Sequence, residues 1–259
     1  MRPFQWIGAA LLGLLGEVGR LGRFAGAVIL SAVTPPVYLG QLWRQMARIG
    51  FYSLPVVGLS GIFIGAALAL NIYTGGARFN AEQFVPNIVV LGITRELGAV
   101  ITGLMLAGRV SAGIAAEIGA MRVTEQIDAL ETLSANPTRY LYAPRLLAGI
   151  LTLPLLVVIA DIVGVMGGWL VGVYSLDFDS TIYLRNTVQF AEPQDIAAGL
   201  IKAAVFGGVI AIMGCYQGDR SKAGATGVGR AATLSMVGAA VLVLAFNYVL
   251  STFFVRIGL

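Results

Sequence analysis

The sequence predicts an all-α integral membrane protein with about five transmembrane helices. Of its 259 residues, 58% are hydrophobic and only 12% are charged, and the mean hydropathy is +0.85. A water-soluble domain of this length is far less apolar. The apolar residues also fall in long runs, and a helix needs about 20 of them to cross roughly 30 Å of hydrocarbon. We treat residues 1–259 as a single transmembrane domain.

An amphipathic segment opens the chain. Apolar side chains recur at helical spacing from Trp6 to Leu21, with Arg20 and Arg23 nearby. This pattern is typical of a helix lying among lipid headgroups. We therefore expect residues 1–50 to form an interfacial N-terminal segment. A signal peptide is the alternative, but no small-residue cleavage site is followed by a polar mature domain.

Five later stretches are long and apolar enough to span a bilayer. They cover approximately residues 53–73, 86–107, 146–174, 196–216 and 232–255. The third is long enough to tilt or kink, and it contains Pro154. Many of the 34 glycines lie inside these runs, among them Gly164 and Gly168. We expect them to let helix backbones pack closely in lipid.

Lysine and arginine are distributed unevenly between the two sides of these spans. One side carries twelve of the 17 basic residues: Arg2, Arg20, Arg23, Arg44, Arg48, Arg109, Arg122, Arg139, Arg145, Arg220, Lys222 and Arg230. The other side carries Arg78, Arg185 and Arg256. Because basic residues favour the cytoplasmic side, we expect the N-terminus in the cytoplasm and the C-terminus outside.

Composition excludes several classes of chemistry. The chain has no histidine and a single cysteine, Cys215, so a histidine general base, a His-Cys zinc site and an internal disulfide are ruled out. We expect no metal site and no cofactor. The net charge of +4 is spread over the connections between apolar runs, which favours membrane orientation over binding of nucleic acid.

Four ionisable residues lie inside the predicted spans, where a charge is costly and requires a partner or a function. They are Arg95, Glu96, Asp161 and Lys202. Glu96 lies near the middle of its span, and Lys202 or Arg95 could neutralise it. Either a structural ion pair or a gate in a polar pathway would explain these residues. For Asp161 we expect a capped kink or a polar group on a neighbouring helix.

The connection between the second and third spans, residues 108–137, predicts an amphipathic cytoplasmic helix. On one continuous helix, Glu117, Thr124, Asp128 and Glu131 would share an acidic face, and Asn136-Pro137 would end the helix. A solvated face and a docking surface for a soluble partner are both compatible with this stripe. No Gly-x-x-x-x-Gly-Lys-Ser/Thr phosphate loop occurs, so ATP would have to be bound by another chain.

Several motifs together resemble the MlaE/YrbE permease family. They are Arg95-Glu-Leu-Gly98, Ala107-Gly-Arg109, the long run from Ala116 to Leu130, and Asn136-Pro137. The resemblance extends from about residue 40 to the C-terminus. It implies the permease subunit of an ABC transporter in a bacterial inner membrane, moving phospholipids between inner and outer membranes.

The resemblance also implies partners and site residues. The permease would be a homodimer, bound to a cytoplasmic ATPase subunit, a STAS-domain protein and a periplasmic ring of MCE-domain proteins. The ATPase would dock on the segment containing Glu117, Arg122, Thr124, Glu125, Asp128 and Glu131. A lipid cavity would be lined by the first span, where the candidate contacts are Leu68, Ile72, Tyr73 and Phe79; ordinary helix packing explains these four equally well.

Two other functions fit the same hydropathy. An ion-coupled secondary transporter could use Glu96, Asp161 and Lys202 as a relay, although no inverted repeat is visible and five spans suit such a carrier poorly. A membrane scaffold without transport activity is the second.

Overall fold

Helices form nearly all of the described chain. The computed structural model describes residues 2–36, 38–79 and 81–258, and the side chains of residues 2–10, 14 and 79 lie outside that description. The α-helices are α1 (Arg2–Val33), α2 (Leu39–Gly50), α3 (Leu54–Gly76), α4 (Val85–Gly92), α5 (Gly98–Leu106), α6 (Ala112–Val123), α7 (Gln126–Thr132), α8 (Ala143–Ser175), α9 (Ser180–Phe190), α10 (Pro193–Asp219) and α11 (Ala225–Ile257).

Several of these helices join end to end without a break. A 3₁₀ turn at Phe51–Ser53 connects α2 to α3, and π-helical turns at Ile93–Leu97 and Ala107–Ser111 connect α4, α5 and α6. A further π-helical turn at Thr138–Tyr142 leads into α8. Within the described residues, five helical runs are long and apolar enough to cross a membrane: Leu39–Gly76, Glu82–Val123, Thr138–Ser175, Pro193–Asp219 and Ala225–Ile257. This confirms the all-α membrane fold and the number of spans.

The bundle has two ends. The α6–α8 connection (residues 124–137) and the α10–α11 connection (residues 220–224) lie at one end, which we call the Arg-rich end. Residues 77–84 and α9 lie at the opposite end. The helices α8 and α10 are the most enclosed, whereas α3 and α11 are the least buried of the spans and keep many apolar side chains exposed. These exposed apolar faces of α3 and α11 suit contact with lipid or with a second chain.

Glycines set the closest helix contacts, as the sequence predicts. A Cβ added to Gly65 of α3 would overlap the carbonyl oxygen of Gly164 of α8. Likewise, a Cβ on Gly149 of α8 would lie 2.5 Å from the carbonyl oxygen of Gly207 of α10. In lipid, helices gain little from removing apolar surface from water, so van der Waals packing at short backbone separations stabilises the bundle instead. Only glycine permits these separations.

Helices run past two of the predicted boundaries. The helix α2 continues into α3 as one helical run, so no break in the backbone marks the predicted change from an interfacial segment to a span near residue 50. The helix of the second span likewise continues beyond residue 107, as α6, to Val123. Ile114 and Ile118 on α6 are buried, and Gly214 and Gly218 of α10 pack against them. Much of the predicted cytoplasmic connection is therefore part of the packed bundle.

Candidate functional sites

A polar cluster inside the bundle joins three helical runs. Glu96 lies on the π-helical turn Ile93–Leu97, Lys202 lies on α10, and Asn247 and Ser251 lie one turn apart on α11. A π-helical turn inserts one residue into an α-helix, and such turns are frequent at functional sites. The turn brings both a side chain and a backbone carbonyl of this run toward α10.

The Lys202 ammonium has a partner for each of its three protons. Its Nζ donates to Glu96 Oε1 at 2.5 Å, to Ser251 Oγ at 2.8 Å and to the Arg95 carbonyl at 3.1 Å. The Lys202 side chain is 1% exposed. A buried cation is tolerated only when it is paired and fully hydrogen-bonded, and this one is.

Glu96 is satisfied from the other side by α11. The Ser251 hydroxyl donates to Glu96 Oε1 at 2.8 Å, and Asn247 Nδ2 donates to Oε2 at 3.1 Å. The Glu96 side chain remains 37% exposed, so this end of the ion pair faces a more open environment than Lys202 does. The cluster therefore fixes α10 and α11 against the second span while leaving one carboxylate accessible.

Arg95 forms a separate ion pair. Its Nη1 donates to Asp195 Oδ1 at 2.8 Å, and Asp195 is buried in the first turn of α10. Adjacent helical residues point about 100° apart. The expectation that Arg95 and Glu96 have different partners is therefore confirmed, and of the two cations that the sequence offers for Glu96 it is Lys202 that forms the ion pair.

Asp161 is not part of this cluster. It is 8% exposed on α8, and its Oδ1 lies so close to Gly98 that a Cβ there would overlap it. Within the described residues, Asp161 Oδ1 has no hydrogen-bond partner. The polar neighbour expected for Asp161 is not found at this oxygen.

The predicted acidic stripe of the α6–α7 region is interrupted. The helix ends at Val123 and restarts at Gln126, and Glu125 between them has a left-handed backbone with φ of 57°. The Thr124 hydroxyl bonds back to the Ala120 carbonyl at 2.9 Å, which caps the end of α6. The prediction of one continuous helix was wrong because periodicity does not report a single residue with positive φ.

Glu117 points into the bundle rather than along the stripe. It accepts from Arg48 of α2 at 2.6 Å and from Arg145 of α8 at 3.1 Å. The Glu117 side chain is 32% exposed and the Arg145 side chain only 3%. Glu117 thus joins three helices, and it does not share a face with Asp128 and Glu131.

The remaining residues predicted to contact an ATPase lie in an exposed tip at the Arg-rich end. Arg122 pairs with Asp128 at 2.7 Å across the helix break. Ile127 is fully buried and anchors α7 to the bundle, whereas Leu133 beside it is 78% exposed. Glu125, Asp128 and Glu131 are also exposed. The tip (residues 124–135) therefore presents carboxylates and one apolar side chain on a firmly seated short helix.

Pro137 begins the next helix and does not end α7, contrary to the sequence-based expectation. Helix α7 already ends at Thr132, and Pro137 immediately precedes the π-helical turn Thr138–Tyr142. Proline lacks a backbone N–H and suits the start of a helix.

The candidate lipid contacts on the first span pack within the protein. Leu68, Ile72 and Tyr73 are partly buried against a small core at the opposite end that includes Tyr183. The Tyr73 ring meets Phe178 edge to face at 6.0 Å. This favours the alternative of ordinary packing for these three residues, and the side chain of Phe79 lies outside the described residues.

Asn247, Ser251 and Asp195 belong to the polar clusters although the sequence pattern did not predict them there. A signal for the first two was present, because polar residues four apart in an apolar span point to one helix face. Asp195 lies at the start of a helix, where acidic residues are common because the helix dipole favours a negative charge. Across the part of the chain that the structure describes, no group of side chains is arranged to hold a metal ion.

Comparison with known proteins places these features in a family. The family model for the permease MlaE matches residues 42–253. A probable ABC transporter permease protein of Rickettsia bellii is 51% identical over 97% of both chains. The intermembrane phospholipid transport system permease protein MlaE of Haemophilus influenzae is 32% identical over 95% of this chain and 94% of its own. The chloroplastic protein TRIGALACTOSYLDIACYLGLYCEROL 1 of Arabidopsis thaliana is 33% identical, covering 89% of this chain and 66% of its own.

Proposed function

The chain belongs to the MlaE permease family, and from this premise we propose that it is the transmembrane subunit of an ABC transporter that moves phospholipid between two membranes. The Haemophilus relative, which aligns along almost the whole chain, carries phospholipid transport in its name. The protein would lie in a bacterial inner membrane, with the Arg-rich end and the N-terminus in the cytoplasm and the C-terminus in the periplasm.

The observation that carries the proposal is the exposed tip at residues 124–135. It is joined through α6, α5 and two π-helical turns to Glu96 in one helical run, Glu82–Val123, that crosses the bundle. A partner that displaces the tip can therefore move the polar cluster, because a helix transmits displacement along its axis. The chain has no phosphate loop of its own, so we assign ATP hydrolysis to a separate ATPase subunit docked on Asp128 and Glu131.

In this proposal the polar cluster is the gate. The pair formed by Glu96 and Lys202 holds α10 and α11 against the second span in the resting state. Rupture of a buried, fully bonded ion pair is unfavourable, so the gate opens only when ATP-driven movement of the tip supplies the free energy. Arg95 and Lys202 would then face the phosphate of the transported lipid.

The family resemblance implies further subunits, which we include in the proposal. The exposed apolar faces of α3 and α11 would be covered by lipid and by a second copy in a homodimer. An MCE-domain ring would meet the opposite end, and a STAS-domain protein would bind beside the ATPase. The ion-coupled carrier is disfavoured, because Glu96 and Lys202 neutralise each other and Asp161 is not in their cluster.

Charge reversal of the tip tests the proposal. The variant Asp128→Arg/Glu131→Arg should lose copurification of the ATPase and ATP-driven lipid movement between donor and acceptor vesicles, while the permease stays folded. A matched control is Glu82→Arg/Glu192→Arg, which reverses two carboxylates at the opposite end and should leave ATPase binding intact. Unchanged ATPase binding in the Asp128→Arg/Glu131→Arg variant would show that the tip is not the docking surface.

A further inference from the structure

A second cationic site lies at the Arg-rich end, away from the polar cluster. A cavity of about 700 Å³ separates α2 from α6 and from the start of α8. The residues that define its chemistry are Arg44, Arg48, Phe51, Tyr52, Glu117 and Arg145. A smaller cavity of about 170 Å³ shares Arg48 and Glu117 with it and is also lined by Arg109.

Positive charge in these cavities exceeds negative charge. Four guanidinium groups line them, and Glu117 is the one carboxylate among their lining residues. Glu117 is shared by Arg48 and Arg145. Arg109 donates to the neutral Ser53 hydroxyl at 2.5 Å, and Arg44 has no hydrogen bond or ion pair within residues 2–36, 38–79 and 81–258. The site therefore has a deficit of negative charge.

Arg145 adds an independent observation. Its side chain is 3% exposed, and it donates to the Leu141 carbonyl and to Glu117. Its Nε, however, has no acceptor among the residues that the structure describes. A buried guanidinium that shares one carboxylate with a second arginine is incompletely neutralised, and a bound anion would complete its compensation.

The position of the larger cavity indicates where that anion comes from. Phe51 and Tyr52 line it immediately before the apolar run that begins at Leu54, and aromatic side chains concentrate at the membrane–water interface. On the same α2 helix, Leu39 and Trp43 are 70% and 74% exposed and form an apolar face away from the arginines. The cavity therefore lies at the depth of the lipid headgroups.

We propose that this cavity binds the phosphate of an anionic phospholipid headgroup from the leaflet on the Arg-rich side. Arginine binds phosphate oxygens in a bidentate geometry, and basic pockets between transmembrane helices select anionic headgroups. A volume of about 700 Å³ suits a headgroup and its glycerol. A second copy of this chain is excluded as the occupant, since two such surfaces would repel each other. The proposed site requires that this chain lie in a membrane, but it does not depend on transport activity.

Selective lipid retention tests the proposal. The full-length chain, purified in mild detergent without nucleotide, is equilibrated with equal amounts of phosphatidylglycerol and phosphatidylcholine, and native mass spectrometry counts the lipids retained. Arg44→Gln should lower the ratio of phosphatidylglycerol to phosphatidylcholine about fivefold, the effect of one basic residue near an anionic headgroup. Arg44→Lys should keep most of the selectivity. Lys222→Gln, which removes an exposed charge at the same end outside the cavity, should leave the ratio unchanged.

Three outcomes would overturn the assignment. Equal ratios for Arg44→Gln and Lys222→Gln would show that Arg44 senses no headgroup. Displacement of phosphatidylglycerol by millimolar inorganic phosphate would assign the cavity to a soluble anion. An unchanged lipid ratio together with weaker ATPase copurification by Arg44→Gln would make the cavity a protein contact. Failure of ATP-driven transport with intact lipid selectivity would instead count only against the proposed function.

Discussion

Removing the Lys202 ammonium gives the sharpest test of the polar cluster. In Lys202→Met, Glu96 loses its cation, Ser251 loses one partner and the Arg95 carbonyl loses its donor. Breaking a buried ion pair from one side costs about 3–5 kcal/mol, mainly because the other charge remains unpaired. Glu96 is 37% exposed and keeps Asn247 and Ser251 as donors. We therefore expect the free energy of unfolding to fall by an amount near the lower limit, about 3 kcal/mol.

The double variant Glu96→Gln/Lys202→Met separates charge from packing. With neither charge present, no unpaired ion remains, and we expect the double variant to be less destabilised than the sum of the two single variants by at least about 1 kcal/mol. Reversible unfolding in mixed micelles gives the free energies of unfolding. Lys222→Met is the matched control, and its exposed side chain should change stability by less than about 0.5 kcal/mol.

Two results would refute this reasoning. A loss below about 1 kcal/mol for Lys202→Met would mean that the ammonium is not held as the geometry indicates. Additive effects of the two substitutions would mean that Glu96 and Lys202 do not interact. The same variants address gating, because Glu96→Gln should alter ATP-driven lipid movement even where the protein stays folded. Loss of membrane insertion or assembly would favour a purely structural ion pair.

Two further predictions concern helix contacts. Gly98→Ala should destabilise the protein by about 1–3 kcal/mol, because the added Cβ would overlap Asp161 Oδ1. The double variant Gly98→Ala/Asp161→Ala should recover most of this loss of stability. The control Gly113→Ala should be neutral or stabilising, because position 113 has open space around it. At α1, hydrogen bonds from Arg20 of the same helix and from Tyr216 of α10 lower the pKa of the Glu17 carboxyl below its ordinary value of 4.5. The contribution of the Glu17 charge to docking α1 on α10 is therefore present above that value and is lost as the pH falls through the lowered pKa. Glu17→Gln should raise amide hydrogen exchange in α1 by less than about fivefold at neutral pH, and the ratio of variant to wild-type exchange should approach one in acid. A ratio that stays constant across this pH range would show that the Glu17 charge does not hold α1.

The number and type of the spans could be predicted from the sequence, because the bilayer imposes its thickness on every crossing segment and leaves long apolar runs in the primary structure. The need for glycine between the spans was predictable for the same reason, since packing in lipid depends on close backbone approach. The different partners of Arg95 and Glu96 followed from helical geometry alone.

The tertiary structure decided the contacts that depend on a few dihedral angles. A positive φ at Glu125 divides the segment that was predicted to be one amphipathic helix, and a π-helical turn places Glu96 against Lys202. Periodicity averages over many residues and cannot detect a single inserted or left-handed one. Glu117 shows the consequence: its sequence position predicts an exposed stripe, yet the neighbouring helices bring two arginines to it and direct it into the bundle. The packing of the helices decides which charges meet inside a membrane protein, and hydropathy does not determine that packing.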